Sequence, residues 1–283
     1  MKKTYLILAI IMLFGVFAVS CNNENKDDRP TVAVTIAPEK TFVYAVCKDT
    51  VNIVTMVPSG ASPESYDPTP KEMTAMSKAC VYFSVGVPSE DNILPSLPKS
   101  VKEVKLDEAV RKNYPDLTLG DERDPHIWLS VRRVKIMIEK ICDTMCDIYG
   151  ENSDIYKKNS LEYLSLLDST DAEIRNTLAS VENRGFIVYH PSFGYFADEY
   201  SLTMYALEEE GKEATAQHMK DVINLAKENK INVIFYQAEN AGKQAKAFAE
   251  ELEGGVAVQL DPLSDNYIEN LKVMASEIAK AAK

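Results

Sequence analysis

Three histidines are all that this 283-residue chain carries: His126, His190 and His218. Two of them adjoin a proline. One lies in Asp124-Pro125-His126-Ile127-Trp128-Leu129, and the other closes the apolar run Phe186-Ile187-Val188-Tyr189-His190-Pro191. An imidazole at the end of a β-type run, with carboxylates at comparable places, is donor chemistry for a divalent transition metal. Neutral imidazole with carboxylate oxygen suits Zn²⁺, Mn²⁺ or Fe²⁺. Glu64 follows the run Val51–Val57 through Pro58-Ser59-Gly60-Ala61-Ser62-Pro63, and Asp261 ends the run Val256–Leu260 ahead of Pro262. Glu64, His126, His190 and Asp261 would together balance a dication, which offsets the cost of desolvating it. The flanking prolines restrict the backbone, so less entropy is lost on capture. Each residue also has a plainer reading. A strand-end histidine is often a hydrogen-bonded structural group, and Glu64 and Asp261 fit turn or cap positions, Asp-Pro being a common turn starter. His218, inside a helical stretch, reads as a surface residue.

Residues this far apart in sequence meet only if the fold brings them together. Short β-branched runs alternate with amphipathic stretches, the pattern of an α/β chain with parallel sheets. Val32–Ile36, Val51–Val57, Cys80–Val85 and Val101–Leu106 read as strands, with helices Pro38–Cys47 and Pro70–Ala79 between them. Further on, Phe186–His190, Leu202–Leu207, Ile231–Tyr236 and Val256–Leu260 read as strands, with helices Ala214–Asn229, Ala241–Leu252 and Asp265–Ala282. Each half is then a βαβα lobe, 31–150 and 185–283, and the ligands sit beyond strand ends in an interlobe cleft. Between the lobes, residues 151–184 contain neither glycine nor proline, and Tyr156, Tyr163, Leu167, Ile174, Leu178 and Val181 recur at helical spacing. Asn152 or Ser153 can cap this segment and Gly185 can stop it. One helix of roughly 30 residues would be about 45 Å long and stiff, unlike a glycine- and serine-rich hinge.

Residues 1–20 read as a signal peptide. Lys2 and Lys3 precede an apolar run, Tyr5 to Val19, that is too short to span a bilayer after folding. It ends in Ala18-Val19-Ser20-Cys21, similar to a lipoprotein cleavage box, which would make Cys21 a lipidated first residue and a stable anchor to a membrane. Residues 21–30 are polar and read as a tether. The whole chain carries a formal charge of −12, from 31 basic and 43 acidic residues, and loss of Lys2 and Lys3 takes it to −14. Such a balance argues against nucleic acid or an anionic lipid surface as the ligand and is compatible with collecting cations. About 260 residues remain, enough for two lobes with a core each. No phosphate loop is present, so the chain is not itself an ATPase. Of the remaining cysteines, Cys142 and Cys146 read as thiols on a helix, while Cys47 with Cys80 is the more plausible disulfide.

Four segments, in this order, resemble successive motifs of one family. They are Gly60-Ala-Ser-Pro-Glu-Ser-Tyr-Asp-Pro-Thr-Pro70, Asp124-Pro-His-Ile-Trp-Leu129, His190-Pro-Ser-Phe-Gly-Tyr-Phe196 with Glu199-Tyr-Ser-Leu202, and Val258-Gln-Leu-Asp-Pro-Leu263. The family is the zinc- and manganese-binding solute-binding lipoproteins of bacterial ABC transporters, the ZnuA-like and TroA-like group. By resemblance, His126, His190 and Asp261 are its second, third and fourth ligands. Its first ligand is usually a histidine, and here that place is Glu64, a harder donor that leaves room for Mn²⁺ or Fe²⁺ beside Zn²⁺. The resemblance implies an exported, monomeric binding protein, anchored facing the periplasm or cell exterior. It would hand its ion to a membrane permease driven by a separate ATPase and perform no catalysis. A metal-dependent hydrolase is the competing reading; it would need an open water position and a nearby base, and no His-Glu-x-x-His is present. An adhesin or structural lipoprotein would need no metal at all.

Overall fold

The structure, a computed structural model, describes residues 28–208, 215–237 and 242–282. The signal peptide, Cys21 and most of the tether lie outside the described residues, as do Ala214 and Ala241. Among the described residues, no helix is long and apolar enough to cross a membrane.

Strand β1 (Thr31–Val34) leads through α1 (Ala37–Cys47) to β2 (Asn52–Thr55), and α2 (Pro70–Met76) leads to β3 (Ala79–Ser84). A short α3 (Glu90–Ile93) precedes β4 (Lys102–Lys105) and α4 (Leu106–Arg111). These strands form a parallel sheet in the order β2-β1-β3-β4. A hairpin, β5 (Thr118–Leu119) with β6 (Glu122–Arg123), brings the chain to α5 (Val131–Ile148) and α6 (Ser153–Leu178). The second half runs β7 (Gly185–Val188), α7 (Gly194–Tyr200), β8 (Thr203–Ala206), α8 (Ala216–Glu228), β9 (Val233–Tyr236), α9 (Gly242–Glu250), β10 (Val256–Gln259) and α10 (Tyr267–Ala281). Its strands make another parallel sheet, β10-β9-β7-β8. All eight strands read from the sequence are present; the hairpin and the three short helices α3, α4 and α7 were not anticipated.

Local chemistry accounts for the element starts. Thr69 caps α2 by accepting the Glu72 N–H, while the Glu72 carboxylate accepts the Thr69 N–H at 2.7 Å, and Pro70 occupies the first helical position. Ser130 caps α5, whose stripe Val131, Val134, Ile138, Ile141 and Met145 is buried. In each sheet the chain leaves the first strand to one side and later returns to the other. The order therefore reverses between β1 and β3 and again between β7 and β9, and such switch points open crevices at strand carboxyl ends.

The long helix is shorter than its glycine-free, proline-free sequence implied. It ends at Leu178, well before Gly185. The Arg184 guanidinium explains the stop, since it donates to the Leu178 carbonyl at 2.7 Å and satisfies an acceptor the helix end leaves open. Helix α6 packs on α5, α1 and α10.

The position of α10 corrects the picture of two lobes with separate cores. It does not simply close the second sheet. Tyr267 meets Phe42 of α1 edge to face at 4.9 Å, and the Tyr267 hydroxyl donates to the Trp128 carbonyl at 2.7 Å. The main core is continuous through Val34, Phe83, Ile138, Leu167, Phe186 and Leu271, drawn from both sheets and the helices between. Among the described residues, separate clusters remain on the outer faces. Ala33, Met56 and Tyr82 belong to the one behind the first sheet, and Ile187, Val222 and Phe248 to the one behind the second.

The Cys47–Cys80 bridge is not formed, and all four cysteines of the described residues are free. Cys80 Sγ is directed to the Thr31 carbonyl at 3.3 Å, while Cys47 is buried at the end of α1 in the main core.

Candidate metal centre

Glu64, His126 and His190 form a group in which one donor atom from each lies within 4.8 Å of the others. Glu64 Oε1 stands 3.0 Å from His190 Nε2 and 3.6 Å from His126 Nε2. A tetrahedral zinc centre with bonds of about 2.0–2.1 Å puts its donors about 3.3 Å apart, between these two values.

Each donor arrives from a different element. Glu64 sits in the loop after β2, where its N–H donates to Ser62 Oγ at 3.2 Å and the Pro63 carbonyl accepts the Ser89 N–H at 3.0 Å. His126 stands just ahead of the short turn Ile127–Leu129 that leads into α5. His190 follows β7 at the switch point of the second sheet, with the Tyr189 N–H donating to the Phe235 carbonyl at 2.8 Å. Both histidines are buried, and their ring centroids are 5.5 Å apart.

The inward direction of both Nε2 atoms has a visible cause. Nδ1 of His126 is 2.8 Å from Asp124 Oδ1, which also accepts the His126 N–H at 2.9 Å. Nδ1 of His190 is 2.7 Å from Glu208 Oε2. A carboxylate on Nδ1 keeps the proton there and turns the Nε2 lone pair toward the centre when the ring is neutral. Asp124 is buried against Gly194, where a Cβ would run into its Oδ2.

Burial alone would lower the His190 pKa, but the hydrogen bonds and charges of Glu208 and Glu64 push it up to about 9. Burial works the other way on Glu64, and the hydrogen bond from His190 with the charges of both histidines holds its carboxyl below the usual range. In the metal-free protein at neutral pH, His190 is thus an imidazolium between two carboxylates. A cation held on His190 Nε2 would have to displace that proton.

The family described as ZnuA, zinc-uptake complex component A, periplasmic, matches residues 32–281. The chain belongs to that family. It is 28% identical to the zinc-binding lipoprotein AdcA of Streptococcus pneumoniae, an alignment covering 100% of the chain and 60% of that protein. The chain therefore spans about 60% of the length of the first curated relatives it matches. It is 26% identical to the high-affinity zinc uptake system protein ZnuA of Bacillus subtilis, over 89% of the chain and 86% of that protein. A crystal structure of ZnuA superposes with a TM-score of 0.85 at 32% identity, covering 90% of this chain and 100% of that one.

Of the four residues expected to converge in this ZnuA-family chain, one stands apart. Asp261 is not in the group of converging donors. Its Oδ1 accepts the Leu263 N–H at 2.9 Å, the cap expected of an Asp-Pro turn, and it lines a separate cavity with Ser59, Gly60 and Gln259. Its neighbours Pro262 and Leu263 do reach the centre. With Ser62, Trp128 and Gln237 they enclose a space of about 10 Å³ beside Glu64, His126 and His190, and about one probe sphere is room for a single water or ion. Outside lies a cavity of about 500 Å³ lined by Glu90, Glu103, Asp107, Glu108, Lys105 and Arg123. Acidic groups outnumber basic ones there, so its field favours approach of a cation.

His218 is half-buried, not a surface group, and its Nε2 is 3.0 Å from the Ala206 carbonyl. The orienting carboxylates Asp124 and Glu208 are additions of the structure to the expected site. Asp124 had a signal, two residues before His126 in Asp-Pro-His. Glu208 had one too, since it follows the run Leu202–Leu207 just as Asp261 follows Val256–Leu260.

Proposed function

We propose that this chain is an extracytoplasmic binding protein that captures one divalent transition metal ion as cargo and delivers it to an ABC transporter permease powered by a separate ATPase. Zinc is the first choice of cargo, with manganese or iron admitted by the oxygen donor of Glu64. The observation that carries the reading is the convergence of Glu64 Oε1 on both Nε2 atoms at 3.0 and 3.6 Å. Asp261 supplies a fourth donor once its carboxylate turns from Leu263, and its support is the place of Pro262 and Leu263 in the wall of the centre. The ion is bound without turnover, in a space sized for an ion. The protein acts as a monomer, and lipidated Cys21 tethers it to the membrane face.

The test is metal content of protein purified without chelator, for the unaltered chain and for Glu64→Ala, His126→Ala, His190→Ala and Asp261→Ala. One ion per chain, reduced by each change, is the expected result. Full metal content in all four variants would sink the assignment.

A further inference from the structure

We infer that Glu208 is a positioning residue of the metal centre, holding His190 with its proton on Nδ1 and its Nε2 lone pair aimed at the ion. The inference rests on the metal-binding reading given above and deepens it.

Glu208 is delivered by backbone geometry. Parallel pairing of β7 with β8 continues past the strands, with the Leu207 N–H donating to the Val188 carbonyl at 3.0 Å and the Glu208 N–H donating to the Tyr189 carbonyl at 2.9 Å. This register sets the Glu208 side chain, 14% exposed, beside the His190 ring, with Oε2 2.7 Å from Nδ1. Glu64 Oε1 lies at the other nitrogen, 3.0 Å from Nε2. An imidazole offers one lone pair to a metal, and its remaining N–H needs an acceptor when buried. A carboxylate in that place selects the tautomer, fixes the ring plane and strengthens the donor nitrogen.

Asp124 does the equivalent for His126, but it also caps the His126 N–H and packs on Gly194. Its removal would disturb the loop as well as the ring. The carboxylate of Glu208 is hydrogen-bonded to His190, so its removal separates positioning from folding more cleanly. Charge points the same way. Glu64, Asp124 and Glu208 bring three carboxylates to two imidazoles, enough for a dication without Asp261.

The experiment measures zinc affinity by chelator competition for the unaltered chain, Glu208→Ala, Glu208→Gln and the exposed control Glu251→Gln. Nitrogen-15 NMR of the imidazoles in the zinc-loaded proteins is the second readout. Glu208→Ala is expected to bind about 10–100-fold more weakly, the usual cost of losing such a partner. Its His190 Nδ1–H signal should broaden or vanish through exchange with water. Glu208→Gln keeps an acceptor without the charge and should fall between, with the Nδ1–H signal retained, while Glu251→Gln should match the unaltered chain. Melting of the metal-free proteins checks folding, and if Glu208→Ala does not fold, Glu208→Gln carries the test. Unchanged affinity and an unchanged His190 signal in the Glu208 variants would overturn the positioning role alone. An unaltered chain that takes up no zinc would overturn the metal reading, and this inference with it.

Discussion

His126 and His190 come to the centre from opposite halves of the molecule, and they are held to different degrees. His126 sits on a proline-stiffened loop, anchored by a fully buried aspartate that binds both its ring and its backbone. His190 stands at a strand end, and its partner Glu208 belongs to the next strand of the same sheet. The packing is less divided. Both sheets, α5, α6 and α10 share the continuous core, while α8 and α9 rest on a smaller separate cluster behind the second sheet. The contrast therefore lies in the local ties of the two histidines, of which His126 has more. Glu64 is the residue that bridges them.

The comparison is broken most severely by removing a donor. Glu64→Ala, His126→Ala and His190→Ala should each lower zinc affinity beyond the roughly 100-fold upper end expected for an outer partner. Titration calorimetry checks this, and the more tightly tied His126 is expected to show a larger loss than His190.

Core substitutions come next. Leu167→Ala in the continuous core should cost about 2–5 kcal/mol of stability, and Phe248→Ala in the separate cluster a similar amount, about 3–5 kcal/mol. Their reach should differ. Hydrogen exchange is expected to speed up in both halves for Leu167→Ala but mainly in α8, α9 and the neighbouring strands for Phe248→Ala. Uniform effects from both changes would erase the distinction.

Acidification probes the His190 side. Below about pH 9 a proton occupies the nitrogen that the metal needs, so affinity should fall about tenfold per pH unit for each proton displaced. About 100-fold weaker binding is expected between about pH 7.5 and about pH 5.5, read by titration calorimetry. The metal-free protein behaves oppositely. Because the folded pKa of His190 is raised above its ordinary 6.5, that contribution to stability is complete below pH 6.5 and is lost as pH rises through about 9. Melting temperature across that range reports it.

The smallest change is Gly194→Ala. The added methyl would run into Asp124 Oδ2 and push it from His126. A loss of about 1–3 kcal/mol in stability is expected, with a modest loss of zinc affinity, both checked by melting with and without zinc.

Alternation of β-branched runs with amphipathic stretches was enough to foresee both parallel sheets, because that pattern is local. The strand-end rule points to Glu64 and His190 for a related reason, since a parallel sheet puts its crevice at strand carboxyl ends. What stayed hidden depends on partners distant in sequence. Nothing near Leu178 announces that Arg184 will close the helix there, and nothing in α10 says that Tyr267 will meet Phe42. Asp261 shows the limit from the other direction. An Asp-Pro pair reads equally as a ligand or a turn cap, and here its carboxylate caps Leu263. Glu208 satisfies the strand-end rule too, but one glutamate in the run Leu-Glu-Glu-Glu-Gly looks like solvated charge.

X-ray absorption of the zinc-loaded protein tests the centre most directly. Two imidazoles with carboxylate oxygen, at about 2.0–2.1 Å, are the predicted ligand shell. A shell dominated by sulfur, or one lacking imidazole scattering, would contradict the meeting of Glu64, His126 and His190 around a single ion.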